Sequence, residues 1–214
     1  ITHQARALSG VDVTWHDTVD DLPNDAPMII VNNEFFDALP VRQYVGTGNN
    51  WDEVVVGLDE TGALALGRRA SNLSLAGLSP TLALPLKGGG NSSVILELSP
   101  ERDAVAAMIF TRVAMQGGAV LTIDYGHDTA SGVSTMQGVR AHEKVPILDR
   151  PGETDLTALV DFPRLCDIAH AAGLDVAGPV GQGAFLRTLG IDARLRNIIN
   201  SDETANRAEL NAGL

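Results

Sequence analysis

The stretch that decides the fold is Met28-Ile29-Ile30-Val31, followed directly by Asn32-Asn33-Glu34-Phe35-Phe36-Asp37-Ala38-Leu39-Pro40-Val41-Arg42-Gln43. A short run that is apolar on every side predicts a strand covered on both faces, as in a parallel sheet. Immediately after it the chemistry changes to two amides and a carboxylate. In open α/β sheets, ligands bind at the carboxyl ends of the strands. The sequence therefore predicts a site directly after residue 31.

A second segment repeats this pattern. Ala119-Val120-Leu121-Thr122-Ile123 leads into Asp124-Tyr125-Gly126-His127. A helix is predicted just before it, capped by Ser99 with Pro100 at its first position and ended by Gly117-Gly118. A helix followed closely by a buried strand is half of a βαβ unit. We therefore predict an α/β fold in which strands 28–31 and 119–123 are parallel neighbours and share one site.

The remaining segments predict smaller elements around this sheet. Alternation of apolar and polar residues predicts an antiparallel β meander over 41–67 with one face in water, which suits a dimer contact or a substrate wall. Weak periodicity ending in a glycine-rich run predicts a loop-rich segment over 68–93. Short strands are predicted at 11–15 and 174–177. Three later helices are predicted, one capped by Asp161 and the others at 183–189 and 192–200.

Composition limits the classes of partner. The 214 residues contain 15 Lys plus Arg against 27 Asp plus Glu, a net charge of −12, and 44% are hydrophobic. This balance supports a folded core and disfavours nucleic acid or an anionic membrane as the main partner. No apolar run approaches the roughly 20 residues that span a bilayer. The one cysteine, Cys166, permits no internal disulfide, which fits a reducing cytoplasm.

The polar residues after the two strands are the candidate site. Glu34 and Asp37 could bind a cationic substrate or accept a proton from it. The alternative is a polar turn in which Asn and Asp side chains cap a short helix. After the second strand, His127 could act as an acid or a base, or could be a loop residue without a catalytic role.

Other kinds of chemistry lack their usual motifs. No metal site is predicted, because no two histidines have the spacing of a ligand pair. No G-x-S-x-G elbow occurs, and Cys166 lies in a predicted helix beside Leu165, which favours a buried small residue over a nucleophile.

The segment Asn33-Glu34-Phe35-Phe36-Asp37-Ala38-Leu39-Pro40-Val41 closely resembles the NEFFDALPV motif of the MidA-like S-adenosylmethionine-dependent methyltransferases. Mitochondrial members of that family assist assembly of respiratory complex I by methylating an arginine. Further blocks agree in family order, and the resemblance runs from about residue 2 to about residue 196. These blocks are Leu121-Thr122-Ile123-Asp124-Tyr125-Gly126-His127, Gly152-Glu153-Thr154-Asp155-Leu156-Thr157-Ala158, Val160-Asp161-Phe162, Gln182-Gly183-Ala184-Phe185-Leu186 and Leu189-Gly190-Ile191.

The resemblance implies the later strands of a Rossmann-like class I methyltransferase sheet, with the meander as an insertion. It implies S-adenosylmethionine as cofactor and a protein arginine as substrate, in the bacterial cytoplasm or the mitochondrial matrix. A guanidinium favours carboxylates that accept two hydrogen bonds, so Glu34 and Asp37 are the catalytic candidates. Asn32 and Asn33 are the candidates for cofactor contact. The candidates for substrate contact are Asp124, Tyr125, His127 and Gln182.

The glycine-rich cofactor loop of the family does not occur in this sequence, nor does the acidic residue that would hold the cofactor ribose. In the family both precede the point that matches residue 1. We therefore expect residues 1–214 to be the C-terminal part of a methyltransferase domain. The alternative hypothesis is a non-catalytic binding or assembly module derived from the same fold, and a homodimer is possible in either case.

Overall fold

The computed structural model describes residues 2–47, 50–72, 94–130 and 132–201. The chain divides into two compact units, Ile1–Asp175 and Val176–Leu214. The helices described are α1 (Thr2–Ala7), α2 (Pro100–Gln116), α3 (Phe162–Ala171), α4 (Gln182–Thr188) and α5 (Ile191–Ser201). The strands described are β1 (Met28–Asn33), β2 (Arg42–Thr47), β3 (Asn50–Leu58), β4 (Leu64–Ala70), β5 (Ile95–Leu98), β6 (Gly118–Ile123), β7 (Gly126–His127), β8 (Gln137–Arg140), β9 (Glu143–Val145), β10 (Asp155–Thr157) and β11 (Val160–Asp161).

Strands β1 and β6 pair in parallel, as predicted from the two apolar runs. The register sets Met28 opposite Gly118 and Asn33 opposite Ile123, so both strands end at the same level. Gly118 is required here. It has φ of 125°, and a Cβ on it would lie 1.8 Å from the Met28 carbonyl oxygen. The close approach of the two strands therefore depends on a residue without a side chain.

Helix α2 forms because its sequence supplies both ends. The Ser99 hydroxyl accepts a hydrogen bond from the Arg102 amide at 3.2 Å, Pro100 follows the cap, and acidic residues occupy the first turn. Gly117, with φ of 81°, ends the helix. Helix α2 packs against α3 and β6. The buried core next to these elements contains Phe36, Ala106, Ile109, Phe110, Val160, Leu165, Ile168 and Ala169.

The predicted meander is confirmed. Strands β2, β3 and β4 pair antiparallel in sequence order, and β5 adds a fourth strand beside β2. Strand β4 continues to Ala70, so the loop-rich segment expected from residue 68 begins later than predicted. Residues 73–93 of that segment lie outside the described residues.

Three expectations about strands are wrong. Strand β1 was expected to be covered on both faces, yet burial alternates along it, with Ile29 81% and Val31 62% exposed. The core lies on one face only, and the described part of the chain leaves the other face open. Residues 11–15 and 174–177 are irregular. Alternation or apolar character alone does not make a strand where no described segment pairs with it.

The helices predicted late in the chain are confirmed. The Asp161 carboxylate caps α3 by accepting from the Arg164 amide at 3.0 Å. Helices α4 and α5 lie in the second unit, close to their predicted bounds. No helix among the described residues is long and apolar enough to cross a membrane.

Candidate functional site

The candidate site lies where β1 and β6 end side by side. The Glu34 amide donates to the Ile123 carbonyl at 2.9 Å, which extends the ladder one residue past β1. The chain then turns sharply over residues 35–39. Glu34 has φ of 49°, in the left-handed region that residues with a Cβ rarely adopt. Non-glycine residues with such backbone strain concentrate at functional sites.

The two candidate catalytic carboxylates differ in exposure. Glu34 is exposed, and its carboxylate accepts a long hydrogen bond of 3.4 Å from the side-chain amide nitrogen of Asn33. Asp37 is only 5% exposed, and its Oδ1 lacks a hydrogen-bond partner among the described residues. Burial raises the pKa of Asp37, and the nearby charges of Asp124 and Glu34 raise it further. The turn therefore presents one carboxylate to solvent and keeps the other beneath it.

Asn32 is the strongest candidate for contact with a ligand. Its side chain lies at the carboxyl end of β1, and both its amide nitrogen and its amide oxygen are buried without a partner among the described residues. A buried amide with neither group satisfied costs free energy unless something else pairs with it. Asn33, the next residue, is exposed. Asn32 is thus suited to donate to and accept from a bound molecule.

Asp124, a candidate for substrate contact, uses both of its carboxylate oxygens within the chain. Its Oδ2 accepts from three successive backbone amides, those of Phe35, Phe36 and Asp37, at 3.2, 2.9 and 3.3 Å. Its Oδ1 accepts from the Tyr125 amide at 2.8 Å. Because both oxygens already bind backbone groups, Asp124 is a weaker candidate for direct contact with a substrate.

The other predicted substrate residues are only partly brought together. Tyr125 follows Asp124 and is 60% exposed. His127 pairs with Asp161 in the β7–β11 bridge, and its Nδ1 is buried without a partner among the residues described. Gln182 begins α4 in the second unit. The ends of β1 and β6 and the residues directly after them thus hold Asn32, Asn33, Glu34, Asp37, Asp124 and Tyr125, while His127 lies in β7 and Gln182 in α4.

The sequence reasoning missed Arg102. This side chain is 5% exposed and lies on α2 beneath the turn. Nε donates to the Phe36 carbonyl at 2.9 Å, and the two terminal nitrogens donate to the carbonyls of Leu159 and Ala158 at 3.1 and 3.3 Å. A signal was present, because Arg102 lies in helical register with the buried residues Ala106 and Ile109. A charge within an apolar stripe indicates a buried hydrogen-bonding task.

Among the described residues, no group of three or more His, Cys, Asp and Glu side chains is arranged to hold a metal ion. Cys166 lies within α3, and burial raises the pKa of its thiol. A raised pKa disfavours the reactive thiolate. Among the described residues, the acid and amide groups around the end of β1 therefore remain the strongest candidates for chemistry.

Comparison with known proteins places these observations in a family. A family described as "Putative S-adenosyl-L-methionine-dependent methyltransferase" matches residues 2–180. The mitochondrial protein arginine methyltransferase NDUFAF7 homolog of Caenorhabditis elegans is 36% identical over 195 residues, covering 91% of this chain and 44% of that protein. The NDUFAF7 of Danio rerio is 33% identical over 203 residues, covering 94% and 46%. The chain thus spans less than half the length of these relatives.

A solved structure agrees in fold. The crystal structure of a protein from Burkholderia thailandensis bound to S-adenosyl-homocysteine superposes with a TM-score of 0.74 at 24% identity. The match covers 97% of this chain and 53% of that one. It confirms the expected α/β fold of the class I methyltransferase type.

Proposed function

Because the chain belongs to this family of S-adenosyl-L-methionine-dependent methyltransferases, we propose that the complete protein transfers a methyl group from S-adenosylmethionine to an arginine side chain of a protein. The relatives from Caenorhabditis elegans and Danio rerio, both named protein arginine methyltransferases, support this substrate. The observation that carries the proposal is the end of β1, where an unpaired buried amide precedes an exposed carboxylate in a strained turn.

Asn32 and Asn33 are the residues of this chain that we propose to face the cofactor. The fit rests on Asn32, whose buried nitrogen and oxygen both need a polar partner. The amino, carboxylate and hydroxyl groups of S-adenosylmethionine can supply both kinds of partner. When bound, the cofactor supplies a methyl group on a positively charged sulfur. The residues of this chain then have to orient the acceptor nitrogen in line with that methyl.

Glu34 is the residue that we propose to hold the substrate guanidinium. A guanidinium presents parallel N–H groups that a carboxylate can accept as a pair. Glu34 is exposed and lies next to Asn32 and Asn33, so an arginine held by it lies beside the proposed cofactor position. Asp37 adds negative charge beneath the turn, and its free Oδ1 is an acceptor for a proton or for a donor of the substrate. We further propose substrate contacts for Tyr125, His127 and Gln182.

The setting of the proposed reaction follows from the family and from charge. We propose that residues 1–214 form part of the methyltransferase domain, with 41–67 as the inserted meander. The family resemblance extends the proposal to assembly of respiratory complex I. The relatives are named mitochondrial, which supports the mitochondrial matrix for a eukaryotic source, whereas a bacterial source would imply the cytoplasm. The net charge of −12 supports a protein partner over nucleic acid. Homodimer formation stays a prediction.

The test is methyl transfer by the complete protein. The protein is incubated with S-adenosylmethionine carrying a labelled methyl and with an extract of the organelle or cell from which it comes, and labelled proteins are mapped by mass spectrometry. The proposal expects the label on arginine. Label on other side chains would contradict arginine as the methyl acceptor. Cofactor binding without labelling of any protein would favour the non-catalytic assembly module.

A further inference from the structure

Asp124 holds the turn that follows β1 through an unusual set of contacts. One of its oxygens accepts from the amides of Phe35, Phe36 and Asp37, and the other accepts from the amide of Tyr125. Successive backbone N–H groups that converge on one point form a concave site for an anion. In this protein the anion is the carboxylate of Asp124, which directly follows the neighbouring strand β6.

The turn so held contains the groups that matter for the proposed reaction. It begins at Glu34 in the left-handed conformation and continues through Phe36, which is fully buried, to the buried Asp37. The turn is also held by the Glu34 amide on the Ile123 carbonyl, by Arg102 on the Phe36 carbonyl and by the Ala158 amide on the Asp37 carbonyl. Asp124 adds the contacts that gather three successive amides at one point, and their loss would let Glu34 relax toward an ordinary backbone conformation. Such relaxation would redirect both carboxylates.

We infer that Asp124 is a positioning residue for the proposed methyl transfer: it fixes the turn that aims Glu34 at the substrate and keeps Asp37 beneath it. The inference rests on the proposed function for its kinetic consequence, whereas its structural consequence stands independently. Asp124 acts through the backbone and does not itself touch the substrate.

A second consequence separates this role from simple support of the fold. Asp37 is faced by Asp124 and Glu34 at the strand ends and by Arg102 from α2. Burial is the largest cause of the raised pKa of Asp37, and the charge of Asp124 is the next. Removal of that charge lowers the pKa of Asp37, because a neighbouring negative charge disfavours ionisation. Relaxation of the turn would also expose Asp37 to water and lower its pKa further, whereas loss of a contact remote from Asp37 would leave this titration unchanged.

The experiment compares Asp124→Asn with Asp59→Asn in the complete protein. Asp59 is the matched control, because its carboxylate also accepts from two turn amides, those of Thr61 and Ala63, at 2.8 and 3.0 Å, but in the turn between β3 and β4. Turnover, cofactor affinity and the carboxyl titration of Asp37 by carbon NMR are measured for both. Asp124→Asn is expected to lower kcat by about tenfold or more, to leave cofactor affinity nearly unchanged and to lower the pKa of Asp37. Asp59→Asn is expected to change none of these.

Failure of the proposed methyl transfer and failure of the role inferred for Asp124 give different results. If the wild-type protein methylates no arginine, the proposed function fails, and hydrogen exchange of the Phe35, Phe36 and Asp37 amides in Asp124→Asn still decides whether Asp124 holds the turn. An unchanged Asp37 titration in Asp124→Asn, or unchanged turnover in an active enzyme, overturns the inference. If Asp124→Asn does not fold, hydrogen exchange of the wild-type protein decides. The amides of Phe35, Phe36 and Asp37 are expected to exchange slowly, and rapid exchange overturns the inference.

Discussion

At the scale of single residues, Arg102 connects the site to the core. Its guanidinium donates to three carbonyls on two separate segments, and its environment is closed to water. Burial lowers the pKa of Arg102, while nearby carboxylates, Asp124 first, oppose that shift. A charge in this setting is stable only because its donors are satisfied.

Arg102→Met is therefore expected to reduce the free energy of unfolding by about 3–5 kcal/mol, since three buried carbonyls lose a charged donor. Arg112→Met is the matched control. Arg112 lies on the same helix and also donates to carbonyls, those of Asp20, Leu22 and Pro23, but at a more exposed edge. Denaturant unfolding should show a clearly smaller loss for the control. Equal losses of unfolding free energy in the two variants would mean that the buried hydrogen bonds of Arg102 stabilise the fold no more than the more exposed ones of Arg112.

Asp37 gives a prediction about pH. Its pKa is raised above the ordinary value of 3.8, so the folded protein holds a proton that the unfolded chain releases. The free energy of unfolding therefore falls as pH rises from 3.8 to the raised pKa, and the loss persists above it. Asp37→Asn removes this group and is expected to abolish that fall and to be at least as stable as wild type at neutral pH. Unfolding titrations across acid pH measure the difference. A variant that retains the fall would show that another group causes it.

At the scale of elements, the pairing of β1 with β6 depends on Gly118. Gly118→Ala would place Cβ against the Met28 carbonyl, at a position where φ is already unfavourable for alanine. Gly152→Ala is the control, because Gly152 also has a positive φ, of 88°, but has open space around it. The control is expected to cost about 1–2 kcal/mol from backbone strain alone, and Gly118→Ala clearly more. Thermal unfolding compares the two, and similar costs would contradict the required close approach.

The same elements show what could be predicted from the sequence. The apolar run at 28–31 and its partner at 119–123 predicted both strands, their parallel pairing and the polar groups at their ends. The run could not show that Ile29 and Val31 are exposed, because composition does not reveal which layers cover a strand. It also could not show that Asp124 binds the amides of residues 35–37. That contact joins positions 87 to 89 residues apart and depends on the completed sheet.

At the scale of the whole molecule, charge agrees with the proposed substrate. The chain carries a net charge of −12, and the site brings together Glu34, Asp37 and Asp124. A negative potential attracts a cationic side chain and raises its local concentration near the site. The buried Arg102 offsets part of this charge beneath the turn, whereas Glu34 remains exposed. Glu34 is therefore the residue that we propose to bind the guanidinium of the methyl acceptor.

The most direct test of that claim is methyl transfer by the complete protein carrying Glu34→Gln, measured beside a cofactor titration, with Glu60→Gln as a control at an exposed turn. Each charge-assisted hydrogen bond to the guanidinium contributes about 1.5–3 kcal/mol, and about 1.36 kcal/mol corresponds to tenfold in rate. Glu34→Gln is expected to lower turnover by at least about tenfold with little change in cofactor affinity, while Glu60→Gln retains wild-type turnover. Wild-type turnover in a folded Glu34→Gln protein would contradict the account.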